Sequence, residues 1–265
     1  MPKTLNHTLT GNIKLHQALR SRFVRERRDV IVYLPPEYEA ARDRRYPVLY
    51  LHDGQNLFDA TTAFLGNDWG LDEVAEELIG SGQIQPLILV GIYNTPKRMA
   101  EYTPVRDRRG RGGRARAYGK IIVEELKPLV DSTYRTLPDR ANTGLGGSSL
   151  GGLVTLYLGL QYPDVFGKLI VMSPSVWWAN RAILKEVRKL PHKVGAKIWL
   201  DIGTCEGQNP QVCVQNTVAL RDALIEKGWQ PGQDLAFVED DGAGHDEKAW
   251  GYRMRDALRF LFPPE

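Results

Sequence analysis

The sequence predicts an α/β fold, a mainly parallel sheet with helices on both faces and antiparallel strands at its N-terminal edge. Three observations carry this. Short, continuous apolar runs end in turn signals, as strands buried on both faces do. Segments of helical periodicity separate these runs. The chain also opens with β-structure before any helix, which places antiparallel strands first and parallel βαβ units after them.

Taken in order, Arg28–Leu34 alternates and stops at Pro35-Pro36, which cannot continue a ladder. Val48–His52 is a buried strand ended by Asp53-Gly54. Residues 70–80 form a helix, with Leu71, Val74, Ala75 and Leu78 on one face and Gly80 and Gly82 closing it. Residues 86–92 form a strand, and 117–134 an amphipathic helix that buries Ile121, Ile122, Leu126, Leu129 and Val130 and that Pro128 should kink. Leu150–Gln161 reads as an almost wholly apolar, buried helix. Strands follow over 168–173, 196–202 and 234–239, with a helix over 214–227 between the last two and a final helix over 249–261. No repeat or linker interrupts residues 1–265, so one domain is expected.

Thirty-five basic against 32 acidic residues leave a net charge of +3, so neither a nucleic-acid nor a membrane partner is expected. The local exception is the basic, Gly-rich run 106–116, which reads as a mobile, solvated loop or as a flap for anionic substrates. Met1–His7 has no apolar stretch, so no signal peptide is expected. A cytoplasmic protein is predicted, or a secreted one if a leader has been removed. Cys205 and Cys213 make no disulfide framework; free thiols are favoured over a local bridge, and no metal site or cofactor is expected.

Gly147-Ser148-Ser149-Leu150-Gly151 fits Gly-x-Ser-x-Gly, the nucleophile elbow. A serine at a sharp strand-to-helix turn needs nearly side-chain-free neighbours two residues away on each side. Gly147 and Gly151 supply them, which selects Ser149 over Ser148 as nucleophile. The helix that follows points its positive end at the site. A serine hydroxyl needs a base. Of the two histidines downstream, His192 precedes a strand, whereas His245 follows one, at the carboxyl edge where catalytic groups gather. The orienting acid is Glu206, in the loop after the strand, in preference to Asp201 within it; Asp240, Asp241 and Asp246 read as solvated turn residues. The backbone N–H groups of Leu150 and Gln55 are the expected oxyanion donors, and His52 is read as structural.

The segments Tyr50–Asp59, Glu101–Pro104, Gly146–Gly152, Ser173–Trp178, Gly203–Glu206 and Gly244–Trp250 occur in one order across most of the chain. In these the chain resembles the esterase D-like group of the α/β-hydrolases, which holds feruloyl and acetyl-xylan esterases (carbohydrate esterase family 1), enterobactin-type trilactone esterases and mycolyl transferases. The resemblance implies the α/β-hydrolase fold, metal-free hydrolysis of carboxylic esters, and a triad acid at the Glu206 position. His52-Asp53-Gly54-Gln55 departs from the His-Gly-Gly-like stretch of S-formylglutathione hydrolase, so that activity ranks low.

Trp177 and Trp178 follow a strand on the catalytic side, and Trp69 precedes the first helix; their rings suit a sugar or phenolic substrate, or else cap the core. No large inserted lid is visible, which argues against long-chain lipids. The expected activity is hydrolysis of short-chain acyl or hydroxycinnamoyl esters of carbohydrates. A siderophore trilactone esterase and an acyltransferase are the alternatives on the same scaffold. A non-catalytic binding protein is the alternative of another class, disfavoured because Ser149, Glu206 and His245 are all competent residues.

Overall fold

The computed structural model describes residues 6–264. Residues 1–5, on which the reading of the N-terminus partly rests, lie outside the described residues. The strands are β1 Asn12–Leu19, β2 Arg28–Leu34, β3 Val48–His52, β4 Ile88–Ile92, β5 Thr143–Ser148, β6 Lys168–Met172, β7 Lys197–Gly203 and β8 Leu235–Asp240. The helices are α1 Leu71–Gly80, α2 Arg98–Glu101, α3 Ala115–Ile121, α4 Lys127–Thr133, α5 Leu150–Gln161, α6 Trp178–Lys189, α7 Pro210–Glu226 and α8 Glu247–Leu261.

One eight-stranded sheet runs in the order β1-β2-β4-β3-β5-β6-β7-β8. β1 pairs antiparallel with β2, and β2 antiparallel with β4; the remaining strands run parallel. The expected architecture is therefore present, with the antiparallel strands at the N-terminal edge. Because side chains alternate across a strand, each central strand feeds two cores. Val48, Tyr50, Leu169, Val171, Ile198 and Leu200 pack on one face under α3–α7. Leu49, Leu51, Ile170, Met172 and Trp199 pack on the other under α1 and α8. Burial on both faces is why these strands read as unbroken apolar runs.

Two differences from the sequence reading have local causes. Residues 115–133 form one helical rod, but Ile122–Leu126 is a π turn rather than a bend at Pro128, with the Lys127 N–H donating to the Ile122 carbonyl. Proline has no N–H and its ring clashes with the carbonyl four residues back; the wider turn just before it relieves that clash. The inserted residue also shifts the phase of the rod, which leaves Leu129 exposed at 37% instead of in the core. Helix α6 is absent from the sequence reading. Its first turn holds Ala179, Asn180 and Arg181 at φ 46°, 57° and 58°, so its start carries no regular periodicity, although Ile183, Leu184 and Val187 bury one face behind it.

Helix α5 is buried from Leu150 to Leu160. A Cβ on Gly152 would lie 2.6 Å from the Met172 carbonyl oxygen of β6, closer than side-chain carbons come. Gly152→Ala is expected to destabilise the fold by about 1–3 kcal/mol through this overpacking, read as a lowered midpoint in chemical denaturation.

Candidate active site

β5 leads straight into α5 through one residue, Ser149, whose backbone sits at φ 60°, ψ −121°. This is a conformation that L-residues adopt only when the surroundings enforce it. Three hydrogen bonds enforce it here. The Ser149 N–H donates to the Met172 carbonyl, and the Ser149 carbonyl accepts from the N–H groups of Leu153 and Ser175, each at 3.0 Å. The glycines expected on either side lie close: a Cβ on Gly147 would meet His52 at 3.1 Å and Gly151 backbone at 3.2 Å.

The carboxyl ends of β7 and β8 bring two further groups to this turn. His245 Nε2 lies 2.9 Å from Ser149 Oγ, and its Nδ1 lies 2.7 Å from Glu206 Oε2. Glu206 is buried. Its second oxygen accepts from the Gly203 N–H at 2.7 Å and from Ser173 Oγ at 2.5 Å. Asp201, the competing acid, points elsewhere. It accepts from Trp199 Nε1 at 2.7 Å and the Ser173 N–H at 3.1 Å, and faces Arg253 at 3.2 Å. Burial pushes its carboxyl up to about 6 against the pull of Arg253. His192 is exposed in the turn before β7, at the other end of the sheet.

Sequence reasoning missed the support behind this line. Ser173, at φ 41°, holds Glu206 and accepts from Trp250 Nε1 at 3.0 Å and Arg253 Nη2 at 2.9 Å. Trp250 sets its ring edge-on to His245 at 4.8 Å between centroids. Arg253, buried in α8, also reaches Asp240 at 3.1 Å. The only available signal was the spacing of Trp250 and Arg253 on the final helix, downstream of His245. Of the acids read as solvated turn residues, Asp241 and Asp246 are exposed, and each also makes a local bond: Asp246 caps α8 by accepting from the Ala249 N–H, and Asp241 accepts from Thr204 Oγ1.

On the other side of Ser149, Asp53 at φ 57° opens one tight 3-10 turn, Gly54–Asn56. Gln55 stands in its first turn and Leu150 in the first turn of α5, where backbone N–H groups have no intrahelical acceptor. The Asp53 carboxylate is buried and gripped by Arg98, with Nε–Oδ1 and Nη2–Oδ2 both at 2.7 Å, and by Asn94 Nδ2 at 2.6 Å. Burial alone would raise the Asp53 carboxyl; Arg98 and Asn94 outweigh it and hold it below its ordinary range. His52 lies in the core beneath the elbow, bonded through Nδ1 to the Tyr118 hydroxyl at 2.9 Å, and burial lowers it to about 3, so it is neutral.

Two cavities flank His245. One of about 370 Å³ is lined by Gln55, Phe64, Arg98, Ser149, Glu247 and Trp250. The other, about 160 Å³, is lined by Ser175, Trp177, Glu206, Cys213 and Asn216. Trp177 is 57% exposed at the second, but Trp69 and Trp178 are buried in the two cores and offer the cleft no face. The expectation that all three tryptophans bind substrate is corrected: Trp69 packs on Trp250, and Trp178 Nε1 donates to the Val105 carbonyl. That bond also anchors the run 106–116, which is a folded turn rather than a loose loop, with Asp107 accepting from the N–H groups of Arg109 and Arg111. Cys205 and Cys213 are both free. Among the described residues, no cluster of three metal-binding side chains occurs and no helix is long and apolar enough to cross a membrane.

The family model described as "Putative esterase" matches residues 21–261. The chain is 29% identical to uncharacterized protein YbbA of Bacillus subtilis, over 96% of this chain and 97% of that one. It is 30% identical to the ferri-bacillibactin esterase BesA of the same organism, over 83% of this chain and 80% of the relative. A solved ferulic acid esterase superposes with a TM-score of 0.74 at 20% identity, covering 95% of this chain and 98% of that one.

Removing Arg98 strands a buried carboxylate beside the elbow. Arg98→Met is expected to lower stability at pH 7 by about 3–5 kcal/mol. Because the folded Asp53 carboxyl titrates below its ordinary range, its contribution is complete above that range and lost as pH falls through the folded value. The gap between wild type and variant therefore narrows in acid, which denaturation at a series of pH values checks.

Proposed function

The chain belongs to the Esterase family and is an ester-cleaving enzyme; on that premise we propose that it hydrolyses short-chain acyl or hydroxycinnamoyl esters of carbohydrates through an acyl-enzyme on Ser149. The observation that carries this reading is the unbroken line Ser149 Oγ, His245, Glu206, with contacts of 2.9 and 2.7 Å. His245 Nε2 takes the hydroxyl proton as Oγ attacks the ester carbonyl. Glu206 holds the Nδ1–H tautomer and stabilises the imidazolium that forms. The N–H groups of Leu150 and Gln55 receive the oxyanion, helped by the positive end of α5. His245 then gives its proton to the leaving alcohol, and a water activated by the same base releases the acid.

The open cleft supports small or extended substrates over long acyl chains, and exposed Trp177 and Phe64 at its two lips offer rings to a sugar or phenolic group. A second reading, cleavage of a siderophore ester, is favoured by the likeness to the bacillibactin esterase. Parallel assays with acetylated and feruloylated sugars and with a catecholate trilactone separate the two by kcat/KM.

Ser149→Ala is expected to abolish p-nitrophenyl acetate hydrolysis and fluorophosphonate labelling. Glu206→Gln should lower kcat by about 10³–10⁴, while Asp201→Asn should act chiefly on stability. Equal losses of kcat in the two acid variants would overturn the assignment of Glu206.

A further inference from the structure

Two arginine-rich segments that the chemistry above does not use converge on one concavity. The connection between β1 and β2 supplies Arg20, Arg22, Arg25 and Arg27, and the end of the basic run 106–116 supplies Arg114. Together they line a cavity of about 820 Å³. Five arginines against Glu26 alone give its wall a formal charge of +4, more than the +3 of the whole chain. Arg22 is paired at the rim with Glu124 and Glu125, at 3.3 and 3.5 Å. Arg20, Arg25, Arg27 and Arg114 are exposed, and among the described residues they have no carboxylate partner.

Both segments are tied to α2. Arg28, the first residue of β2 directly after the first segment, is buried against Glu101 with Nη2–Oε1 at 2.9 Å, and the Arg114 N–H donates to the Ala100 carbonyl at 2.8 Å. The same short helix sends Arg98 to Asp53 in the turn beside Ser149. The strand register puts the concavity at the catalytic end of the sheet. Val30 of β2 lies level with Ile92 of β4, and Ile92 with His52 of β3. β2 stands three strands from β5, so the lateral offset from the elbow is about 14 Å.

Unpaired guanidinium groups around an open hollow suit planar carboxylates, which they bind in a two-pronged fashion. Nucleic acid fits less well, because single strands need free aromatic faces for stacking. The one aromatic ring in the wall, Phe23, already carries the Arg22 guanidinium at 4.9 Å and the Lys120 ammonium at 5.3 Å. We propose that this concavity is a substrate subsite for the carboxylate groups of an acidic, uronate-bearing carbohydrate chain whose ester lies at Ser149. The proposal rests on the ester-hydrolase reading and narrows its substrate class.

Three substrates test it: an acetylated uronate-bearing oligosaccharide, an acetylated neutral xylo-oligosaccharide, and p-nitrophenyl acetate. In dilute buffer the uronate substrate should show a KM lower by about ten-fold, an advantage erased by ~0.5 M salt. The triple variant Arg25→Ser, Arg27→Ser, Arg114→Ser should lose the advantage while turning over p-nitrophenyl acetate as the wild type does. Equal KM values for the two oligosaccharides in an enzyme active on p-nitrophenyl acetate would overturn the subsite. An enzyme inactive on all three would overturn the ester-hydrolase reading instead. Calorimetry with an ester-free oligogalacturonate then judges the concavity separately: binding that the triple variant loses supports it, and no binding overturns it. Tighter binding of single-stranded DNA or of anionic lipid vesicles than of the oligogalacturonate also overturns it.

Discussion

The backbone of Ser149, held at φ 60° between a buried strand and a buried helix, is the constraint on which the rest of the site depends. Such a conformation persists only where neighbouring structure over-determines it. The Met172 carbonyl, the Ser175 N–H and the first turn of α5 all bond to this one residue. The glycines at 147, 151 and 152 let β5, β6 and α5 approach closely enough to make those bonds. The strain is sustained by packing energy from both cores, and it leaves the hydroxyl at the sheet's edge in reach of His245.

Among the described residues, the same edge of the sheet carries two buried ion pairs, Arg253 with Asp201 and Arg28 with Glu101, and a part-buried one, Arg98 with Asp53. Buried pairs add little net stability, because desolvation offsets most of their attraction. Their effect here is geometric. Arg253 links β7, β8 and the Ser173 corner, and so fixes the surface against which Glu206 lies. Arg98 fixes the turn that carries Gln55. Each breaks badly if one partner is lost, which ties this edge to a single arrangement of its loops.

Helix α2, only four residues long, connects features that are far apart in the sequence. Arg98 reaches forward to the elbow's flanking turn, and Glu101 reaches back to Arg28 at the start of β2. The Ala100 carbonyl holds the start of α3 through the Arg114 N–H. The arginine concavity and the serine are thus parts of one braced edge rather than independent surfaces.

The order of strands and helices, the sharp strand-to-helix turn at Ser149 and the positions of Glu206 and His245 after strands were legible in the sequence because each depends on local rules. Apolar runs, glycine spacing and position after a strand are all read within a few residues. What the sequence could not supply depends on contacts between distant segments. That Asp201 faces Trp199 and Arg253 while Glu206 faces His245 depends on how β7 packs against the final helix. Trp69 and Trp178 look like Trp177 in sequence, and only packing puts two of them in the cores and one at the cleft. The brace of Ser173, Trp250 and Arg253 and the meeting of residues 20–27 with Arg114 join segments roughly 80 to 90 residues apart. Local chemistry therefore determined which groups exist and on which elements; the tertiary structure decided which of them touch, because burial and long-range pairing are settled only when the whole sheet has closed its two cores.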